Sequence, residues 1–100
     1  MAKYRIVDVR PSADAFDGWE TEHREKRIGR VLYIDPEVTK VQAAYLKRFC
    51  FSYFCDENGH SLIGKMLVPS QTEDLFISED NKTIILTTIN SIYQFELVEE

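Results

Sequence analysis

The chain has few of the residues on which several readily identified protein classes depend. Its 100 residues include only two cysteines, four glycines and three prolines. The two cysteines, Cys50 and Cys55, are too few for a disulfide scaffold. Their spacing in one strand-like run points them to opposite faces, so we expect two reduced thiols. The four glycines form no phosphate-cradling motif, which disfavours a nucleotide-binding loop.

Long hydrophobic runs are also missing. No segment approaches the run of roughly 18–20 apolar residues that a membrane-spanning helix needs. The first residues, Met1-Ala2-Lys3-Tyr4-Arg5, do not contain the apolar stretch of a secretory signal peptide. We therefore expect a soluble cytoplasmic protein with no membrane partner.

Basic residues are outnumbered by acidic ones. The chain has 12 Lys and Arg against 17 Asp and Glu, a formal net charge of −5 and an isoelectric point near 5.0. Such a charge repels phosphate backbones unless the basic residues lie together on one face. Hydrophobic residues nevertheless make up 44% of the chain and aromatic residues 12%. This composition predicts one compact domain over residues 1–100 with a real core.

The C-terminal residues 83–100 carry the clearest structural pattern. Two β-rich runs flank Asn90-Ser91, a pair that tolerates the positive φ angles of a tight primed turn. After this turn, Tyr93, Phe95 and Leu97 alternate with polar residues, which points them to one face of a strand. The pattern predicts a β-hairpin with one buried and one solvated face.

Further strand-like runs are separated by turn signals. Asp56-Glu57-Asn58-Gly59 and Glu79-Asp80-Asn81-Lys82 predict two tight turns, and Gly29 predicts a bulge or a close backbone approach. The strand-like runs cover residues 4–9, 27–34, 46–55, 60–68 and 72–78.

One short helix interrupts the strand pattern near residues 36–45. Asp35 can cap its start, and Pro36 is tolerated at the first helical position. Apolar residues then repeat at helical spacing: Val38, Val41, Ala44 and Tyr45. With six to seven short strands, this helix completes a mainly β fold, which we expect to be a small antiparallel barrel or sandwich of the SH3-like or OB-like kind.

Cys55 and His60 are the best candidates for thiol or metal chemistry. They bracket the predicted turn at residues 56–59 and could face each other across a hairpin, as a thiol–imidazole dyad or as metal ligands. Structural zinc sites bring their ligands in close pairs, and no second pair completes this one; Cys50 and His23 are the other candidates. We therefore expect no catalytic residues, no metal and no cofactor, and keep a site at Cys55 and His60 as a remote alternative.

An eight-residue run, Lys47-Arg48-Phe49-Cys50-Phe51-Ser52-Tyr53-Phe54, partly resembles the RNA-recognition-motif signature. In that family a basic residue leads aromatics at alternate strand positions, on which bases stack. Both glycines of the signature are missing, and the chain lacks the βαββαβ order of the family. The resemblance makes single-stranded nucleic-acid binding the alternative function, with contacts from Lys47, Arg48, Phe49, Phe51 and Tyr53.

A second group of basic residues lies close to acidic ones. Arg24, Lys26, Arg27 and Arg30 follow or interleave with five carboxylates, at Asp14, Asp17, Glu20, Glu22 and Glu25. We expect these charges to pair locally rather than contact phosphates.

The polar segment before this group is the leading candidate for a partner-binding site. Phe16, Asp17, Trp19 and Glu20 place two large aromatics among carboxylates, a composition typical of interaction hot spots. Phe16 and Trp19 could instead plug one end of the barrel, which is the commoner role of large aromatics in a domain this small. We therefore expect a non-enzymatic protein–protein interaction or regulatory module whose partner has a basic surface. An unpaired barrel edge could also form a homodimer.

Overall fold

The computed structural model describes residues 2–13, 24–45 and 47–100. Residues 24–27 are helical. The described residues further form seven strands and one longer helix. In chain order these elements are β1 (Lys3–Pro11), β2 (Val31–Tyr33), α1 (Pro36–Gln42), β3 (Phe51–Cys55), β4 (Met66–Leu67), β5 (Thr72–Ile77), β6 (Thr83–Thr88) and β7 (Ser91–Glu99).

All seven strands belong to one antiparallel sheet with the order β4-β3-β2-β1-β7-β6-β5. The sheet curls into a half-barrel, which confirms the prediction of a small antiparallel β fold with one short helix. The first and last strands, β1 and β7, pair near the middle of the sheet. The N-terminal and C-terminal strands therefore depend on each other for their hydrogen bonds.

The curl of the sheet has a local cause in β1. The pairing of β1 with β7 shifts register between Ile6 and Asp8, so Val7 is an extra residue in a β-bulge. A bulge bends its strand and increases the local twist. Side chains three positions apart lie on opposite faces of a regular strand. Because of the bulge, Ile6 and Val9 are nevertheless both buried, while Val7 is 39% exposed.

The core lies on the concave face of the half-barrel. Tyr93 and Phe95 of β7 belong to it and Leu97 packs against it, as the alternating pattern predicts. The rings of Tyr93 and Phe95 are stacked, and Phe51 meets Phe95 edge to face. The buried cluster consists of Tyr4, Ile6, Val9, Leu32, Ile34, Phe49, Phe51, Tyr53, Leu67, Ile84, Leu86, Tyr93 and Phe95.

The turn between β6 and β7 differs from the prediction. Among the described residues, Asn81 is the only non-glycine residue with a positive φ, so Asn90 and Ser91 do not form a primed turn. The Thr88 side chain closes this turn instead: its hydroxyl donates to the Ser91 carbonyl at 2.9 Å and accepts from the Ser91 amide at 3.0 Å. Side-chain hydrogen bonds of this kind replace the backbone conformation that the dipeptide pattern indicates.

The predicted turn at residues 56–59 is confirmed, but the strand predicted after it is mostly irregular. Asp56 accepts hydrogen bonds from the backbone amides of Asn58 and His60, both at 2.9 Å. Only two parts of the predicted 60–68 strand form β pairing. The strand β4 pairs with β3, and Ser61 forms an isolated bridge with Cys55, the last residue of β3. The second hairpin is therefore short, and it leaves much of this segment exposed.

Gly29 makes the close backbone approach that its place in the sequence predicts. Its φ is +93°, and a Cβ atom there would lie 2.6 Å from the Cβ of Glu57. The strand predicted over residues 27–34 is shorter in the structure, because a turn at residues 28–29 precedes β2. Because Gly29 has no side chain, residues 24–30 can lie close to the turn at residues 56–59, which we call the β3–β4 turn.

The helix begins as predicted, but its apolar side chains do not reach the core. The carboxylate of Asp35 accepts from the amides of Glu37 and Val38, and Pro36 occupies the first turn. The helix ends at Gln42, before residue 45, and Thr39 is its buried residue. None of the helices in the described part of the chain has the length and hydropathy needed to cross a bilayer.

We expect the buried tyrosines Tyr4 and Tyr93 to make folding sensitive to alkaline pH. Burial raises the pKa of both Tyr4 and Tyr93 above the ordinary value of 10.0, because it disfavours the charged phenolate. Their contribution to stability is complete below pH 10 and is lost as the pH rises through the folded-state values. A spectrophotometric titration at 295 nm and urea melts above pH 10 measure both effects. Tyr93→Phe should flatten the pH dependence; an unchanged slope would contradict the assignment to Tyr93.

Candidate interaction site

A broad groove lies between α1 and β3. It has a volume of about 840 Å³. Aromatic residues at its base belong to the core, and aliphatic residues of α1 and of the turn before β4 stand at its sides. We call it the α1–β3 groove; its main lining residues are Val38, Thr39, Phe49, Phe51, Tyr53 and Ile63, with Asp35 and Arg48 as its charged residues.

Large apolar side chains are exposed in and around this groove. Val38 is 48% exposed and Ile63 is 65% exposed, and both line the groove. On α1 and the turn after it, Val41 is 61% exposed and Tyr45 is 69% exposed. Val41 lies three positions after Val38, so these two share one side of α1, and Tyr45 follows in the turn after the helix. Exposed apolar side chains that accompany a concave apolar surface are typical of binding sites.

The aromatic strand does not provide a base-stacking surface. Phe49, Phe51 and Tyr53 are only 3%, 6% and 4% exposed, and Phe49 stacks on Phe51 with their ring centroids 6.0 Å apart. A stacking platform needs exposed ring faces, so the stacking role expected from the motif is wrong for these three residues. Their alternation was correct, but it records the buried face of a core strand. Lys47 and Arg48, the basic residues of the motif, are exposed.

A second, smaller pocket adjoins the groove. It has a volume of about 220 Å³ and is mostly polar. Arg48 lines both the pocket and the α1–β3 groove, so the two sites share one side chain. We call this the arginine pocket; its polar lining residues are Arg27, Arg48, Ser70, Asn90, Ser91 and Tyr93.

Arg24 is a buried arginine that contacts this pocket's lining. It is 1% exposed, and its Nε and Nη2 donate to the Ser91 hydroxyl and the Asn90 carbonyl, both at 2.8 Å. Its Nη1 is buried and has no hydrogen-bond partner among the described residues. The sequence signal for a cationic pocket is the group of basic residues within 24–30. The sequence does not show which of these arginines is buried.

Four of the five carboxylates predicted to pair with this basic segment, Asp14, Asp17, Glu20 and Glu22, lie outside the described residues, so the prediction of local ion pairs is tested only at Glu25. Arg27 donates from Nη1 to the Tyr93 hydroxyl at 2.8 Å, and Arg30 lies over the Tyr53 ring at 5.2 Å. Within residues 2–13, 24–45 and 47–100, the ion pairs include none of Arg24, Arg27 and Arg30. They contact hydroxyls, carbonyls and rings because the segment lies against β7 and β3 rather than beside a described carboxylate.

The two candidates for thiol or metal chemistry have separate surroundings. The His60 imidazole lies 3.3 Å from the Asp56 carboxylate, and Cys55 pairs through its backbone with Ser61. Cys50 and Cys55 are both free thiols, as predicted. In the described ranges, no group of three or more His, Cys, Asp and Glu side chains is placed to hold a metal ion.

The residues predicted to contact a partner lie outside the described part of the chain. These are Phe16, Asp17, Trp19 and Glu20, together with the metal candidate His23. Their role in binding therefore stays a prediction.

Comparison with protein-family models, curated proteins and solved structures found no match for this chain. The inference about function therefore starts from the groove, the pocket and the charges around them.

Proposed function

We propose that this protein is a non-enzymatic interaction module whose α1–β3 groove binds an apolar segment of another protein. The observation that carries the proposal is the groove itself, with exposed Val38 and Ile63 beside an aromatic base. Transfer of partner side chains into this groove would remove apolar surface from water on both molecules, which is the main driving force of association. A concave apolar centre is also where interaction hot spots concentrate.

The helix supports this proposal because its apolar face is not used for folding. An amphipathic helix on a globular domain normally directs that face at the core. Here the face of Val38 and Val41 points to solvent, while Thr39 is buried and donates to the Asp35 carbonyl at 2.8 Å. The capping by Asp35 holds the short helix without apolar contacts from that face. A bound partner would supply the contacts that the chain itself leaves open.

The charge of the partner is a separate part of the proposal. The net charge of −5 favours a partner with a basic surface. The groove itself has one acidic and one basic lining residue, Asp35 and Arg48. Acidic side chains lie instead on the exposed strand β5, at Glu73 and Asp74, where a basic surface could contact them.

We expect charge placed in the groove to abolish partner binding without unfolding the protein. Val38→Asp and Ile63→Asp each put a carboxylate where an apolar side chain would dock, at a position already 48% and 65% exposed. An acidic residue in the first helical turn is electrostatically favourable, so Val38→Asp should fold. Affinity capture from native-host lysate, read by mass spectrometry, should retain a specific protein on the wild type and lose it on both variants.

Val98→Asp is the matched control for this capture. Val98 is 48% exposed on β7, and the substitution makes the same change of charge at a residue that does not line the groove. Retention on this variant together with loss on the groove variants would support the proposal. Equal retention on all variants, each verified to fold by its melting temperature, would contradict it. Trp19→Ala in the same series tests the predicted role of the aromatic segment.

Single-stranded nucleic-acid binding is the second candidate function. The observation in its favour is the exposure of Lys47 and Arg48, together with a pocket that Arg48 lines with Arg27 and whose described lining residues include no acidic one. Contacts there would be to phosphates, because the rings of Phe49, Phe51 and Tyr53 are buried. Recovery that collapses when the lysate is treated with nuclease would favour this candidate over the groove.

A further inference from the structure

The arginine pocket concentrates positive charge in a protein that is acidic overall. Arg27 and Arg48 line it, and none of its described lining residues is Asp or Glu. Arg24 adds a third guanidinium through its hydrogen bonds to Asn90 and Ser91. Across the described ranges, neither Arg27 nor Arg48 forms an ion pair. The local charge is therefore not balanced by any described carboxylate.

Burial makes this imbalance energetically important. Arg24 is 1% exposed and keeps one buried Nη1 to which no described residue offers a hydrogen-bond acceptor. A buried charge is destabilising unless it is paired and hydrogen-bonded. An anion held nearby would reduce that penalty, which makes the pocket more favourable for anions than exposed arginines alone would be.

The Ser70 and Tyr93 hydroxyls of the pocket accept hydrogen bonds and have hydrogens left to donate, whereas the Ser91 hydroxyl also hydrogen-bonds to Tyr93. The Ser70 hydroxyl accepts from the Asn90 amide at 3.3 Å, and the Ser91 hydroxyl accepts from Arg24 at 2.8 Å. The Tyr93 hydroxyl accepts from Arg27, and burial raises the pKa of Tyr93, so it is protonated at neutral pH. Guanidinium and hydroxyl donors together match the oxygens of a phosphate group, which two arginines can also contact through paired N–H bonds.

We propose that the arginine pocket binds the phosphate group of a phosphorylated side chain on the partner segment that occupies the α1–β3 groove. The claim that a partner segment carries the phosphate rests on the proposed function, whereas the claim that the pocket binds phosphate does not. The pocket's 220 Å³ suits a single group, and Arg48 borders both sites, so a segment in the groove places a neighbouring side chain at the pocket. A phosphorylated side chain brings close to two negative charges, more than the single charge of an Asp or Glu residue.

The observations favour this carrier over a nucleic acid. A nucleic-acid strand needs a basic track along several phosphates and exposed rings for stacking. The net charge is −5, and the candidate rings are at most 6% exposed. One small cationic pocket beside an apolar groove fits a single phosphate flanked by apolar side chains.

The test is an NMR titration of the full chain with inorganic phosphate, phosphotyrosine and a ten-residue thymidine oligonucleotide, at constant ionic strength. We expect saturable shifts of the Ser70, Asn90 and Ser91 amides with inorganic phosphate, and tighter binding of phosphotyrosine because its ring can reach the groove. Arg48→Gln, at an exposed position, should weaken both at least tenfold. Arg27→Gln is a second variant, and Lys82→Gln is the control of equal charge change at an exposed turn.

The outcomes separate the two proposals. Shifts that are absent, or equal in the wild type and both arginine variants, would overturn phosphate binding while leaving the groove tested independently by Val38→Asp and Ile63→Asp. Tighter binding of the oligonucleotide than of phosphotyrosine would overturn the phosphorylated side chain in favour of a nucleic acid. Phosphotyrosine binding that survives Lys82→Gln, is lost in Arg48→Gln and is weakened by Ile63→Asp would support both the pocket and its carrier.

Discussion

Phe95→Ala is expected to lower the free energy of unfolding by about 3–5 kcal/mol, which is the usual range for removal of a buried phenylalanine ring. Phe95 is fully buried in β7, between Ile6 on β1 and Ile84 on β6. Its ring also contacts Phe51 on β3 and Tyr93 on β7 itself, so the substitution removes contacts with three other strands. Urea denaturation followed by circular dichroism measures the change.

Phe76→Ala is the control for this experiment, because it makes the same chemical change at a residue that is 52% exposed. We expect it to change stability by less than about 1 kcal/mol, as surface substitutions usually do. Similar losses for the two variants would mean that Phe95 does not lie at the centre of the core. Because Phe95 joins the strands that come first and last in the sequence, its loss should also reduce the cooperativity of unfolding.

Gly29→Ala is the second large effect, with an expected loss of about 2–4 kcal/mol from backbone strain and steric overlap together. The φ of Gly29 is +93°, and the new Cβ would lie 2.6 Å from the Cβ of Glu57. The contact is rigid on both sides, since each atom is attached directly to a backbone. Denaturant melts of the variant and the wild type measure the loss.

Two further variants separate strain from overlap. Gly64 has a φ of +94°, and no described atom lies within 4 Å of the place that a Cβ would take, so Gly64→Ala should lose only the roughly 1–2 kcal/mol due to the left-handed backbone. Glu57→Gly removes the opposing Cβ and should partly rescue Gly29→Ala. Equal losses at the two glycines, or no rescue, would refute the close approach.

The close contact between Gly29 and Glu57 also affects the candidate site. Residues 24–30 must pass the β3–β4 turn at Gly29 for Arg24 and Arg27 to reach Ser91 and Tyr93. A Gly29→Ala variant that still folds should therefore bind phosphate more weakly than the wild type. The α1–β3 groove shares Arg48 with the pocket, but it is lined by residues of the capped helix α1 and none of residues 24–30.

Local features of the fold were predictable because they depend on neighbouring residues. Asp35 and Pro36 begin a helix through one cap and one fixed φ angle, and Tyr93, Phe95 and Leu97 alternate because strand side chains do. The primed turn at Asn90-Ser91 was wrong because a third residue, Thr88, contributes hydrogen bonds that the dipeptide pattern does not contain.

The candidate site was much less predictable. Alternation identified Phe49, Phe51 and Tyr53 as sharing a face, but both a core strand and a stacking platform have that pattern. Helical spacing likewise grouped Val38, Val41 and Tyr45 without showing that they are exposed. In both cases periodicity shows which residues lie together, and only the packing of other elements shows whether water reaches them.

By itself the sequence determined the class of the fold: a mainly β domain with one short capped helix and two free cysteines. It did so because alternation, capping and turn chemistry act over a few residues. Only the tertiary structure decided the strand order, the burial of Arg24 and the meeting of the groove with the arginine pocket at Arg48. These features join residues such as Arg24 and Ser91, which are distant in the chain, and a contact of that kind depends on how the whole sheet curls.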